Sequence, residues 1–319
     1  NLHHPLLNTF RYMSKRKRSQ KVVHTQNVPV YLKILGTETG DSTPSVIVSF
    51  GDRKYLFDCG EGLQRFCIEH KIKIKKIGKI FLTSNNIEAF GGLPGMFLTM
   101  GGVHSEKLSS AKEAAQLDIC GPIGTERLVY ASRKFCHVNS QAVRIRVADV
   151  LPTSCGLDIC RDDYLSVCAV RVLSLKSTKE CISYICTTAS SRGKFLPKRA
   201  IEMGVKPGHD FGKLTRGLEV ILENGKVVKP SDVMEPSNPG TSFAVVRCPG
   251  LDWIKSVVSN ENLSWRKYKD MSCIVHIVPT LVRSVSQSNS YFYQLTLKKK
   301  ITRLRNKLEL CCSNTGTPE

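Results

Sequence analysis

Apolar and polar positions alternate over Val28–Leu35, and Gly40-Asp41 marks a turn before a second strand-like stretch at Ser45–Phe50. Gly51-Asp52 then reads as a tight hairpin into 54–58, where Tyr-Leu-Phe is flanked by polar ends. Cys59-Gly-Glu-Gly62 opens a predicted helix with apolar positions at Leu63, Phe66 and Ile68. The wholly apolar Ile80-Phe-Leu82 predicts a strand covered on both faces. A glycine- and proline-rich turn at 91–95 leads into a helix through Met96–Met100, a strand ends at 119–122, and Glu126–Cys136 reads as helix. Strands return at Val143–Val147, Leu165–Leu173 and Cys181–Thr187. Mixed strands with intervening helices, without heptads or a repeat of about 20–50 residues, predict a layered α/β domain.

Residues 194–240 break the pattern. They carry a short helix signal, the breaks Val205-Lys-Pro-Gly208 and Gly212–Gly217, and a hairpin turn at 223–226 between Val220–Leu222 and Val227–Val228. Glu235-Pro-Ser-Asn-Pro-Gly240 closes the segment. It reads as a helix-plus-hairpin insertion, after which Thr241–Arg247 and Cys273–Val278 are apolar strands placed to rejoin the main sheet. From Arg192 to Lys229 there are nine Lys and Arg against four acids, a local charge of +5.

Charge changes the picture further. The 47 Lys and Arg outnumber the 27 Asp and Glu, leaving +20, an excess that a polyanion such as nucleic acid would neutralise. At 41% hydrophobic and 23% charged, the chain is too apolar for wholesale disorder. No apolar run approaches the ~20 residues of a membrane span, so no membrane partner is expected. The thirteen cysteines lack any CxxC spacing and read as reduced, buried thiols. Residues 1–27 contain no acid, and Arg11–Lys21 holds six cations. This basic leader fits a mitochondrial presequence, Lys15-Arg-Lys-Arg18 alone fits nuclear import, and a solvated arm fits both facts. At the other end, 294–319 is a basic tail in which Leu297, Ile301, Leu304 and Leu308 have the spacing of an amphipathic helix.

Chemistry is sparse. His70, His104 and His137 are isolated, with no partner at i+2 or i+4, and His276 lies between apolar neighbours as a core histidine would. Cys59 has no identifiable His/Asp pair to activate it, and no phosphate-cradling glycine motif occurs.

Leu56-Phe-Asp-Cys-Gly-Glu-Gly62, Phe81-Leu-Thr83 and Gly92-Leu-Pro-Gly95 occur in an order and spacing that resemble the RNase Z (tRNase Z) branch of the metallo-β-lactamase fold. Met203-Gly-Val-Lys-Pro-Gly208 and Gly212-Lys-Leu214 are similar to that family's protruding arm, although Gly208-His209 stands where the family has Gly-Pro. More narrowly, residues 28–293 resemble the amino-terminal half of the long, two-lobed form. The resemblance implies an α/β metallo-β-lactamase-like αβ/βα four-layer sandwich, with 194–240 as an inserted tRNA-binding arm.

The family's catalytic halves carry His-x-His-x-Asp-His between the strand-end Thr and Gly-Leu-Pro-Gly, because two zinc ions need imidazole and carboxylate donors converging at ~2 Å. Here Ser84, Asn86 and Ala89 stand where the histidines belong, and Glu88 where the aspartate does. The bridging aspartate expected after Phe243–Arg247 is replaced by Cys248-Pro249, and the later His-Glu-Ala-Thr position reads His276-Ile277. Asp58 aligns with an acidic motif and is expected to shape the turn into the following helix.

The resemblance therefore implies no metal and no cutting chemistry in this chain, with zinc held by a catalytic partner lobe, linked or supplied in trans. The expected role is to clamp precursor tRNA, with Lys194, Lys198, Arg199, Lys206, Lys213 and Arg216 on phosphates and Pro207-Gly208 as a close-approach turn. A stand-alone RNA- or protein-binding module remains the alternative, and the expected location is mitochondrion, nucleus or both.

Overall fold

The computed structural model describes residues 30–36, 43–105, 115–137, 143–154, 156–190, 193–222, 225, 227–237, 240–263, 271–279 and 308–312. The basic leader, Glu223-Asn224 and Lys226 of the hairpin turn, and most of the basic tail lie outside these residues.

Two sheets face each other. The first begins with β1 (Val30–Leu35), β2 (Ser45–Phe50) and β3 (Arg53–Phe57), an antiparallel meander. It continues in parallel through β4 (Ile77–Phe81), β5 (Ala115–Gly121) and β6 (Val143–Asp149). The second is built from β7 (Asp158–Arg161), β8 (Leu165–Leu173), β9 (Glu180–Thr188), β12 (Ser242–Arg247) and β13 (Met271–Ile277). Its order is β13-β12-β9-β8-β7, antiparallel except for the β12–β13 pair. The intervening β10 (Val220–Ile221) and β11 (Val227–Val228) form a separate hairpin.

The sequence pattern explains the layering. Every residue of β2 is buried because helices cover one face and the second sheet covers the other, so its apolar run does not alternate. Inward, Val46, Val48, Tyr55, Phe57 and Phe81 meet Leu165, Val167, Tyr184, Phe243 and Val245. The rings of Phe57 and Phe81 stack at 5.1 Å. Outward, Ile47, Leu56 and Ile80 pack under helices α1 (Leu63–Glu69), α3 (Leu93–Ser105) and α4 (Thr125–Phe135) through Leu63, Met96, Phe97 and Val129. The short α2 (Ile87–Phe90) precedes α3. On the far side, Val170, Val172 and Val246 pack against Trp253 and Val257 next to and within the last helix of the lobe (Ile254–Ser259). This is the expected four-layer αβ/βα sandwich.

A polar network also joins the sheets. Tyr55 donates its hydroxyl proton to Asp162 at 2.9 Å, Lys79 lies 3.3 Å from Asp118 and 3.8 Å from Asp162, and Arg146 forks onto Asp118 at 2.8 Å. Two cations thus face two carboxylates, the balance a partly buried cluster needs.

The insertion folds on a core of its own. Ala200, Val205, Leu214, Val220, Val228 and Val233 are buried together, with Phe195 and Phe211 edge-to-face at 4.9 Å. They come from α5 (Pro197–Glu202), α6 (His209–Thr215), the β10–β11 hairpin and α7 (Pro230–Val233); the last helix of the lobe is accordingly α8. At its base the Leu196 and Glu235 amides donate to Val233 and Lys194 carbonyls at 2.8 and 2.9 Å. One expectation is not met: Leu308, read as the end of an amphipathic helix, instead begins the strand β14 (Leu308–Cys312), parallel to β1. Strand pairing along an open sheet edge competes with helix, and here it sets the backbone of 308–312.

Glycine marks both attachments of the insertion. A Cβ on Gly193 would sit 1.8 Å from the Glu235 carbonyl oxygen, and one on Gly240 would sit 1.8 Å from that of Thr188. Neither neighbour is a side chain that can swing away. Gly240→Ala is therefore expected to cost about 1–3 kcal/mol by forcing backbone apart; an unchanged midpoint in urea denaturation would refute the close approach.

Candidate functional site

The two sheets bring their strand ends together at one rim, where β3, β4 and β12 run out. The residue after β3, Asp58, has φ +57, a left-handed conformation that Asp tolerates better than most side chains. Its backbone amide donates to the Phe81 carbonyl at 2.9 Å. Its carboxylate, fully buried, accepts from the Thr83 amide and the Thr83 hydroxyl, both at 2.7 Å. Burial pushes Asp58 up to about 6, against the opposing pull of Arg247 and of the two Thr83 bonds.

The glycine motifs lock this rim backbone to backbone. Cys59 donates to the Ala89 carbonyl at 2.7 Å, and Gly92 donates to the Cys59 carbonyl at 2.8 Å. A Cβ on Gly92 would fall 2.1 Å from the Gly60 oxygen. Asp58–Gly62 and Gly91–Gly95 are thus tied backbone to backbone, and the Asp58 carboxylate is bonded to Thr83 beyond β4. Burial raises the Cys59 thiol well above its usual range, which disfavours the thiolate that a nucleophile would need. Burial pushes His276 down to about 4, leaving an uncharged imidazole.

The four positions aligned with zinc ligands divide between inside and outside. Ser84 and Ala89 are buried, whereas Asn86, at the N-cap of α2, and Glu88 are exposed. Glu88 is bound to the guanidinium of Arg247, whose side chain is 5% exposed against 50% for Glu88. Ser84 Oγ and Arg247 Nε are enclosed without a hydrogen-bond partner among the described residues. The donor set does not fit zinc: a hydroxyl, an amide and a methyl replace imidazoles, and a guanidinium takes up the aligned carboxylate. Among the described residues no three of His, Cys, Asp and Glu converge as ligands would.

Arg247 is the functional residue that sequence reading missed. It closes an apolar strand, and a cation at a strand end ordinarily points to solvent. Its only signal was position, one residue before the place where the resemblance puts a bridging acid.

The arm residues lie elsewhere, on the insertion. Lys194, Lys198, Arg199, Lys206, Pro207, Gly208 and Arg216 are exposed. Lys213 is partly buried and bound to Asp210 at 3.1 Å, one turn earlier on α6. Gly208 has φ +123, and a Cβ there would meet nothing within 4 Å, so open space lies over this turn.

A family model for the tRNase Z endonuclease matches residues 33–92. The chain is 32% identical over 308 residues to a mitochondrial tRNase Z of Arabidopsis thaliana, covering 86% of this chain and 32% of that protein. It is 29% identical over 263 residues to a mitochondrial ribonuclease Z of Drosophila melanogaster, covering 80% and 32% respectively. Among solved structures, a long form RNase Z from yeast is similar with a TM-score of 0.52 at 15% identity, over 79% of this chain and 33% of that one. The chain thus spans 32% of the length of both curated relatives.

The Asp58–Thr83 pair generates a pH-dependent expectation. Because the folded pKa of Asp58, about 6, lies above its ordinary 3.8, this group lowers stability as pH rises between those values and holds that cost above them. Thr83→Val deletes a hydrogen bond to the ionised form and raises the pKa further. The loss should be about 1–3 kcal/mol at pH 8 and shrink below about pH 6 as Asp58 takes up its proton. Denaturant titrations at pH 8 and pH 5 that give equal losses would contradict this.

Proposed function

The chain belongs to the tRNase Z family of the metallo-β-lactamase fold, and we propose that it is the substrate-gripping, catalytically silent lobe of a tRNA 3′-processing endonuclease. The carrying observation is the split between its two candidate sites. At the rim, the one carboxylate aligned with a ligand is bound by Arg247, whereas on the insertion Lys198, Arg199 and Arg216 stay exposed on an independently packed body.

The physics of such a lobe is positioning. Precursor tRNA is a folded polyanion, best held by cations fixed on a rigid support and by backbone approach where a side chain would intrude. The arm's apolar core fixes the helices that carry Lys198, Arg199 and Lys213, and Gly208 leaves room for a phosphate to come close. Zinc, held by the partner lobe, would supply the activated water. This chain's residues would orient the RNA so that one phosphodiester meets that water. The relatives' names support a mitochondrial location, and nothing comparable supports a nuclear one.

Two measurements test the reading. The purified chain should carry no stoichiometric zinc by elemental analysis and leave precursor tRNA uncut, with trimming restored when the zinc-bearing lobe is added. About two zinc ions per chain together with cleavage would overturn the silent-lobe reading, and indifference to the added lobe would favour a stand-alone binding module. Separately, Lys198→Glu with Arg199→Glu should weaken binding of precursor tRNA and reduce the slope of log affinity against log salt by about 1–2. Unchanged affinity would move the binding face off the arm.

A further inference from the structure

The loss of zinc ligands leaves a problem that ligand loss alone does not solve. The resemblance places ligands both after β4, in the first sheet, and after β12 and β13, in the second, so a metal centre there would tie the two sheets together at the rim. Without it, Asp58 is a fully buried carboxylate at the seam between the sheets, and the rim needs a positive charge.

We propose that Arg247 is the resident cation of this rim, a guanidinium that takes over the metal's structural task by binding Glu88 across the two sheets. Arg247 is the last residue of β12, in the second sheet, whereas Glu88 lies on α2, after β4 of the first. Its backbone is held on both sides: the amide donates to Ser183 Oγ at 3.2 Å, and the carbonyl accepts from Cys181 Sγ at 3.6 Å. The side chain therefore leaves the strand from a fixed origin and runs, almost wholly buried, to the carboxylate of Glu88.

Each charge requires another. A buried guanidinium without a counter-ion is strongly unfavourable, and Asp58 has only Thr83 to satisfy it otherwise. The inference goes beyond the RNA-gripping role and stands whether or not the arm binds tRNA.

The ionisable groups facing Arg247 are Asp58 after β3, Glu88 on α2, Cys181 on β9 and Cys248 just beyond β12. Burial raises both thiols, Cys248 to about 11 and Cys181 higher, so they stay neutral between pH 5 and 8 and only the carboxylates respond. The test uses the full chain and thermal unfolding. Arg247→Met should lower Tm by on the order of 10 °C at pH 8 and by clearly less at pH 5, where Asp58 carries its proton. Arg247→Lys should recover part of the loss at pH 8. An equal loss at both pH values, or no recovery with lysine, would make Arg247 a packing residue and overturn the proposal. Should Arg247→Met fail to fold, the half-exposed partner decides. Glu88→Gln should lower Tm and Glu88→Lys, which sets two cations together, should lower it further; a Tm unchanged in both would overturn the proposal equally.

Discussion

A charge taken out of water must meet an opposite charge or a set of hydrogen bonds, and this requirement governs how the two sheets of the lobe are joined. Apolar packing between them is extensive but carries little directional information, since Phe57, Phe81, Tyr184 and Phe243 would tolerate some sliding as a cluster. The polar seams have fixed geometry. Tyr55 and Lys79 on the first sheet reach Asp162 beyond β7, while Arg146 pairs with Asp118 within the first sheet and completes the cluster. At the strand ends Thr83 holds Asp58, and Arg247 binds Glu88. In both seams a mismatch of even one residue in strand register would leave a charge buried alone.

This bears on why the family's glycine-rich motifs persist where the metal ligands do not. Gly60 and Gly92 are required by backbone contact: the Gly92 amide reaches the Cys59 carbonyl, and neither position has space for a Cβ. Asp58 is required by the turn and by Thr83. These residues serve the shape of the rim, whereas the histidines of a catalytic lobe serve its ions. A lobe without ions would release the second set of residues and leave the first constrained, which fits the reading proposed for 56–95.

Legibility in the sequence follows the same division. The bounds of Ser45–Phe50 and Leu165–Leu173 were readable because burial on a sheet imposes a local pattern of apolar residues, and a hairpin at Gly51-Asp52 follows from turn chemistry alone. The insertion was visible as a composition change, and its helices and hairpin lie inside the expected bounds. The short β7 and α7 escaped notice because four residues are too few to show a period. The tail was misread at Leu308 because helical spacing of leucines does not register a neighbouring strand edge. The rim cluster was half legible: the emptied ligand positions could be read in order, but Arg247 is 159 residues from Glu88, and no local pattern announces such a pair.

The distribution of the net charge connects the interior to the proposed role. Four buried or half-buried cations among the described residues are matched: Lys79 and Arg146 by Asp118, Arg171 by Glu180, Arg247 by Glu88. Folding thus consumes positive and negative side chains together at these sites and cannot absorb an excess of 20 charges. On the insertion, exposed Lys198, Arg199 and Arg216 are mounted on a small core that keeps their spacing fixed. A surface of that kind gains most from a rigid polyanion, because every phosphate it neutralises releases a counter-ion and relieves repulsion among neighbouring cations. The pairing of those interior charges and the surplus on the insertion follow from one rule, and the second is what the proposed grip on a folded RNA would draw on.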